Sequence, residues 1–175
     1  MKKTRSVVLI GMPGAGKSTL GVLLAKELAL DFVDTDMLIQ LREDRTLQEI
    51  INGSDYLNLR RIEGEVIAAA HLPNHVIATG GSVVYSEEGM ANLRSFGPIV
   101  FLNCSAEELR RRIHNYENRG IAKAPGQSFA ELFAERQALY RQYADITVDC
   151  DGRDLQQVLE CVLEELEGDR DPGAR

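Results

Sequence analysis

The most chemically pointed stretch of the chain is Gly11-Met12-Pro13-Gly14-Ala15-Gly16-Lys17-Ser18-Thr19, which satisfies G-x-x-x-x-G-K-[ST]. Glycines let the backbone curl until successive N–H groups point at phosphate oxygens, and a following helix N-terminus adds positive potential. In this pattern Lys17 reaches the β- and γ-phosphates and the Ser18 hydroxyl holds Mg²⁺. A ligand-free Gly-rich turn is the plainer alternative. It is disfavoured because strand, motif and helix occur together, so the chain is read as binding a nucleoside triphosphate.

Asp34-Thr35-Asp36 follows the second strand, at the carboxyl edge where open α/β sheets bind ligands. One carboxylate would order Mg²⁺ through water while the other accepts a hydrogen bond from a substrate hydroxyl. An Asp N-cap for a helix beginning near Met37 explains one of them, not both. Arg136 lies on a helical stripe with Phe129, Leu132, Phe133, Tyr140 and Tyr143. An inward guanidinium needs an anionic partner, because an unpaired buried charge is strongly unfavourable. An internal salt bridge or a snorkelling side chain is the alternative. Arg60 sits three residues before Glu63, which would fix its fork. Two such arginines converging would clamp a carboxylate bidentately. Arg61 has no such placement and reads as solvated.

These groups need a scaffold, and the chain supplies an alternating one. Val7–Ile10 and segments 31–33, 76–79, 99–102 and 146–148 are short apolar runs that read as buried parallel strands. Between them lie helical segments, three opening with an S/T-x-x-E capping box: Thr46 with Glu49, Ser105 with Glu108, Ser128 with Glu131. The last helix carries Leu155, Val158, Leu159, Val162, Leu163 and Leu166 on one stripe. Residues 116–127 lapse into polar, Gly- and Pro-containing sequence, a length often used as a functional lid. Strands alternating with helices mean a parallel sheet of about five strands, covered on both faces. A single domain over 1–167 is predicted, with a mobile lid over 114–127 and a disordered tail over 168–175.

At 175 residues and 44% apolar composition the chain is large enough for one core. A net charge of −7 disfavours nucleic acid and anionic membranes as bulk partners, so an anionic ligand needs a local basic pocket. Cys104, Cys150 and Cys161 show neither zinc spacing nor a disulfide framework. The run at Val7–Ile10 is too short for a signal sequence, and no stretch approaches a bilayer span. A cytoplasmic protein is predicted. With no apolar stripe left without a core role, it is read as a monomer.

Taken together, these residues resemble the shikimate kinase family, within the nucleoside-monophosphate-kinase-like group of P-loop proteins. Beyond the P-loop, the resemblance rests on D-T-D at 34–36, L-R-x-x-E at 59–63, A-T-G-G at 78–81 and E-R-x-x-L-Y-R at 135–141. It implies ATP and Mg²⁺ as cofactors, and a small hydroxy-carboxylate acceptor held by Asp36, Arg60, Arg136 and the backbone around Gly80, Gly81 and Ser82. It implies Gly11, Gly14, Ala15, Gly16, Lys17, Ser18 and Thr19 as the nucleotide cradle, with Ser18 and Asp34 serving the metal. Arg119 matches the lid arginine that closes over the phosphates, Arg112 the arginine that stacks on adenine, and 151–154 the loop on the other side of the base. Lys17, Asp36 and Arg119 would carry catalysis.

The chain also departs from the family. Its glycine triplet reads Gly80-Gly81-Ser82, the lid reads Arg119-Gly120-Ile121-Ala122, Asp55-Tyr56 stands for Gly-Glu, and Gln137 replaces a proline. The implied reaction is in-line transfer of the γ-phosphoryl group to a hydroxyl of shikimate. The alternatives are a related kinase of homoserine or gluconate, and a non-catalytic nucleotide-binding module.

Overall fold

Short apolar runs of β-branched residues alternate with longer amphipathic stretches, and the chain resolves them into a sheet between helices. The computed structural model describes residues 5–113 and 121–170. The strands are β1 (Val7–Ile10), β2 (Asp31–Asp34), β3 (His75–Ala78), β4 (Ile99–Asn103) and β5 (Ile146–Asp149). All pair in parallel, in the order β2-β3-β1-β4-β5. The helices are α1 (Lys17–Leu28), α2 (Thr35–Glu43), α3 (Leu47–Gly53), α4 (Tyr56–Ala69), α5 (Glu87–Phe96), α6 (Ala106–Arg112), α7 (Phe129–Tyr143) and α8 (Leu155–Arg170).

The predicted strands all form, but not all are buried. β1 at the centre of the sheet is wholly inaccessible, as a strand covered by helices on both faces must be. β5 alternates, with Thr147 and Asp149 exposed, and β2 is only half-buried. Both are edge strands, each lacking a neighbour on one side. Of the three capping boxes, those at Thr46 and Ser128 close reciprocally. The third does not. Ser105 accepts from the Glu108 N–H, but its own N–H goes to Asp151 Oδ1 at 2.9 Å, while Glu108 binds Arg111 and Arg112.

Two further expectations are revised. α8 continues through Arg170, past the Gly168 at which the tail was predicted to start, and Leu155 at its first turn is 40% exposed rather than on the core stripe. On α2, Met37 and Leu41 are exposed at i,i+4 spacing, so an apolar pair does stand free of the core. The main core wraps the sheet. A second, smaller cluster of Ile39, Ile50, Leu59, Ile62 and Ala122 joins α2, α3 and α4 to the chain just after residue 120. Ile39, Leu59 and Ala122 of this cluster line the cavity described below. Among the described residues, no helix is long and apolar enough to cross a membrane.

Candidate active site

At the carboxyl end of β1 the chain turns sharply before α1, and the turn is possible only with glycine at key points. Gly14 has φ +87°, and a Cβ there would sit 2.5 Å from Ile113 Cδ1. Lys17, the first residue of α1, is buried, and its Nζ donates to the carbonyls of Gly11 at 2.6 Å and Met12 at 2.9 Å. Burial lowers its pKa to about 8, against the opposing pull of Asp36 and Asp34. Ser18 Oγ donates to Asp34 Oδ2 at 2.5 Å. Asp34 Oδ1 meanwhile accepts from Asp36 N at 3.0 Å and so caps α2, which starts at Thr35 rather than near Met37. One aspartate thus serves both the capping role and the hydroxyl expected to hold a metal.

Asp36 and Glu63 form an acidic wall. Burial and the nearby Asp34 carboxylate push Asp36 up to about 6, with Lys17 opposing. Burial pushes Glu63 up to about 7, opposed by a hydrogen bond from Ser82 Oγ to Oε2. Both carboxylates flank Gly80: a Cβ there would lie 2.4 Å from Glu63 Oε1 and 2.7 Å from Asp36 Oδ1. The Gly80 N–H is given to Thr35 Oγ1 at 3.2 Å, so this one donor of the backbone around Gly80 and Gly81 is already engaged. The Ser82 side chain turns to Glu63.

Opposite stands a cationic wall. Arg136 is 1% exposed, and its Nη2 donates to the Ala122 carbonyl at 2.8 Å. No described carboxylate lies within salt-bridge distance, and Nε is unpartnered. A backbone carbonyl cannot neutralise a guanidinium, so the internal-salt-bridge alternative fails among the described residues. Arg60 donates to the same Ala122 carbonyl at 3.2 Å and lies 3.9 Å from Glu135 Oε1. Its guanidinium stacks 3.6 Å from the centre of the Tyr85 ring. The expected Arg60–Glu63 pair does not form: Ser82 donates to Glu63 Oε2, and Arg60 turns to the Ala122 carbonyl. Gln137, in place of the proline after Arg136, is buried with its side-chain amide unpartnered.

A cavity of about 470 Å³ unites the two halves. Of the predicted residues it is lined by Gly14, Gly16, Lys17, Ser18, Thr19, Asp36, Gly80, Gly81, Ser82, Arg112 and Arg136. Gly11, Ala15, Asp34 and Arg60 are not among its lining residues, but Asp34 accepts from the lining Ser18 and Arg60 donates to the carbonyl of the lining Ala122. Arg112 is held by Glu108 at 2.6 Å and reaches Ala15 O at 3.4 Å. With Arg153 and Asp154 it borders a second cleft of about 200 Å³ beside the glycine-rich turn. Arg119 lies outside the described residues, as do residues 114–120 of the predicted 114–127 lid. Sequence reasoning missed Thr35, Tyr85 and Ala122. Only Thr35 carried a signal, since it sits between the two aspartates.

This chain matches the profile of shikimate kinase over residues 13–167. It is 37% identical over 166 residues to the shikimate kinase of Pseudomonas entomophila, covering 93% of this chain and 96% of that one. The chain belongs to the shikimate kinase family. It is also 35% identical over 164 residues to the shikimate kinase of Caldanaerobacter subterraneus, covering 91% and 94%. The Aquifex aeolicus shikimate kinase structure superposes with a TM-score of 0.78 at 30% identity, covering 96% of this chain and 99% of that one. The Acinetobacter baumannii shikimate kinase in complex with shikimate superposes with a TM-score of 0.84 at 24% identity, covering 96% of each chain, which bears on the fold. Membership makes this chain a kinase of the P-loop type, and the catalytically inert binding module is set aside.

Proposed function

We propose that this protein transfers the γ-phosphoryl group of ATP to a hydroxyl of shikimate, forming shikimate 3-phosphate and ADP. The observation that carries the reading is the single cavity in which the Lys17 turn faces Asp36 on one side and the carboxylate-free guanidinium of Arg136 on the other. A phosphate-binding turn, a hydroxyl-accepting carboxylate and an anion clamp are the three parts that transfer to a small hydroxy acid needs.

Phosphoryl transfer asks mainly for positioning and charge stabilisation. Lys17 leaves its backbone carbonyls for the β- and γ-oxygens, and the arriving negative charge raises its pKa again. Asp36 orients the attacking hydroxyl and accepts its proton, for which a pKa of about 6 is well matched to neutral pH. Ser18 and Asp34 offer hard oxygen donors at hydrogen-bond distance from each other, a set suited to Mg²⁺ carried in with the triphosphate. Held by Ser18 and Asp34, such an ion would supply positive charge to offset that of the triphosphate. Arg136 and Arg60 hold the acceptor's carboxylate. The family resemblance gives Arg112 the role of stacking on the base and Arg119, outside the described residues, that of a lid arginine, a role worth ~10³–10⁵ in rate.

The test is ADP release with ATP and Mg²⁺ in the presence of shikimate, homoserine, gluconate or no acceptor. Turnover with shikimate alone is expected. ATP binding without shikimate-dependent ADP release overturns the reading, as does faster turnover with another acid. Arg119→Ala should lower kcat far more than it weakens ATP binding, and equal losses would remove that role.

A further inference from the structure

Ser82 stands where the family's glycine triplet ends, and the structure shows what its side chain does. It is 7% exposed, lines the acceptor side of the cavity, and gives its only hydroxyl proton to Glu63 Oε2. Glu63 is 3% exposed. Its second oxygen, Oε1, is buried with no hydrogen-bond partner and faces Gly80 beside Asp36 Oδ1. A buried carboxylate oxygen without a donor is costly to leave unmatched. This one borders the cavity in which an acceptor is read to bind.

We propose that Ser82 is a positioning and specificity-determining residue: its hydroxyl fixes the Glu63 carboxyl so that Oε1, beside Asp36, receives a second hydroxyl of the acceptor. Three consequences follow from the geometry. Glu63 is kept off Arg60, three residues before it on α4, which leaves that guanidinium for the carboxylate side. The two carboxylates then present a pair of acceptors to neighbouring hydroxyls, so the site selects a vicinal diol acid over a monohydroxy acid. A site built to receive a hydroxyl rejects the analogue lacking it, because its own buried group is left unpaired. The Ser82 bond also favours the ionised form of Glu63. The other charges facing it are Asp36 from α2, which opposes ionisation, and Arg136 from α7 and Lys17 from α1, which assist it.

This inference rests on shikimate being the acceptor, and the experiment separates the two. We would measure kcat and KM for shikimate and its 4-deoxy and 5-deoxy analogues, from pH 5 to 9, with wild type, Ser82→Ala and Ser82→Thr. The wild type should use at least one analogue about tenfold less efficiently than shikimate, the size of a lost hydrogen bond to a charged group. In Ser82→Ala that ratio should fall to about threefold or less. The change should come through KM for shikimate, with kcat within about twofold. The acid limb of kcat/KM should also move to higher pH, because the donor holding the ionised carboxyl is gone. Ser82→Thr should retain the wild-type ratio. A wild type indifferent to both analogues overturns the proposal. So does a Ser82→Ala enzyme that melts lower yet keeps the wild-type ratio and limb, since that marks a structural role. Absence of wild-type turnover with shikimate overturns the acceptor reading instead.

Discussion

Arg60 and Arg136 donate to one and the same atom, the carbonyl oxygen of Ala122, at 3.2 and 2.8 Å. Ala122 itself is buried in the small cluster with Ile39, Ile50, Leu59 and Ile62. The two guanidinium groups read as the acid clamp therefore also fasten residue 122, which lies within the predicted 114–127 lid. On the proposed function the acceptor's carboxylate and this carbonyl would draw on the same pair of cations, coupling occupancy of the acid site to the placement of residue 122.

Arg136→Lys tests the clamp. A lysine keeps the charge but loses the planar fork that can serve Ala122 and an acid together. KM for shikimate should rise about 10- to 100-fold, the range for one lost charged hydrogen bond, with KM for ATP changed by less than about threefold. Steady-state kinetics with each substrate varied in turn checks this. Equal effects on both substrates would detach Arg136 from the acceptor.

Tyr85 supports Arg60 from below, its ring centre 3.6 Å from the guanidinium carbon, while its hydroxyl donates to Glu135. Tyr85→Leu removes the stacking face and should raise KM for shikimate by about 2- to 10-fold. Tyr85→Phe keeps the face and should remain within about twofold. If the two variants behave alike, the ring is not what orients Arg60.

The pH profile follows from Asp36 and Lys17, with Glu63, at about 7, adding to the acid limb of kcat/KM for the acceptor. Below about pH 6 Asp36 takes up a proton and cannot accept the hydroxyl, so kcat/KM falls on the acid side. Above about pH 8 free Lys17 loses its proton, so kcat/KM for ATP falls on the alkaline side as well. The kcat profile should lack that alkaline limb, because bound triphosphate restores the lysine's charge. Asp36→Asn should lower kcat by about 10²–10⁴. An alkaline limb of equal midpoint in kcat would show that Lys17 is not in contact with phosphate.

Glu63 makes a prediction about stability. Its folded pKa of about 7 lies above the ordinary 4.5, so between those values the folded chain binds more protons than the unfolded one. Its contribution to stability is full below about pH 4.5 and is lost as pH rises through about 7. Asp36 acts in the same direction up to about 6. The melting temperature should decline from pH 5 to pH 8, and Glu63→Gln should flatten the decline by a few degrees. Thermal melts at stepped pH decide it. Parallel slopes for both proteins would show that Glu63 ionises as it does in water.

The sequence alone determined the nucleotide half of this protein. The Gly11-to-Ser18 turn, the strand before it and the helix after it are contiguous, and their conformation depends on local steric freedom and periodicity. The five strands were legible for the same reason, as were the capping boxes at Thr46 and Ser128. The acceptor half was legible in its residue types but not in its pairings. Arg60 was matched with Glu63, its helical neighbour, whereas folding gave Glu63 to Ser82, 19 residues away, and Arg60 to Ala122, 62 residues away. Likewise spacing along the chain did not reveal that the Gly80 N–H is given to Thr35, 45 residues distant. A buried polar group must find a partner wherever the fold leaves one within reach, and spacing along the chain does not reveal which. Edge exposure of β2 and β5 was hidden too, since the order of strands is a property of the assembled sheet. Composition placed the charges, and only tertiary packing decided which of them meet.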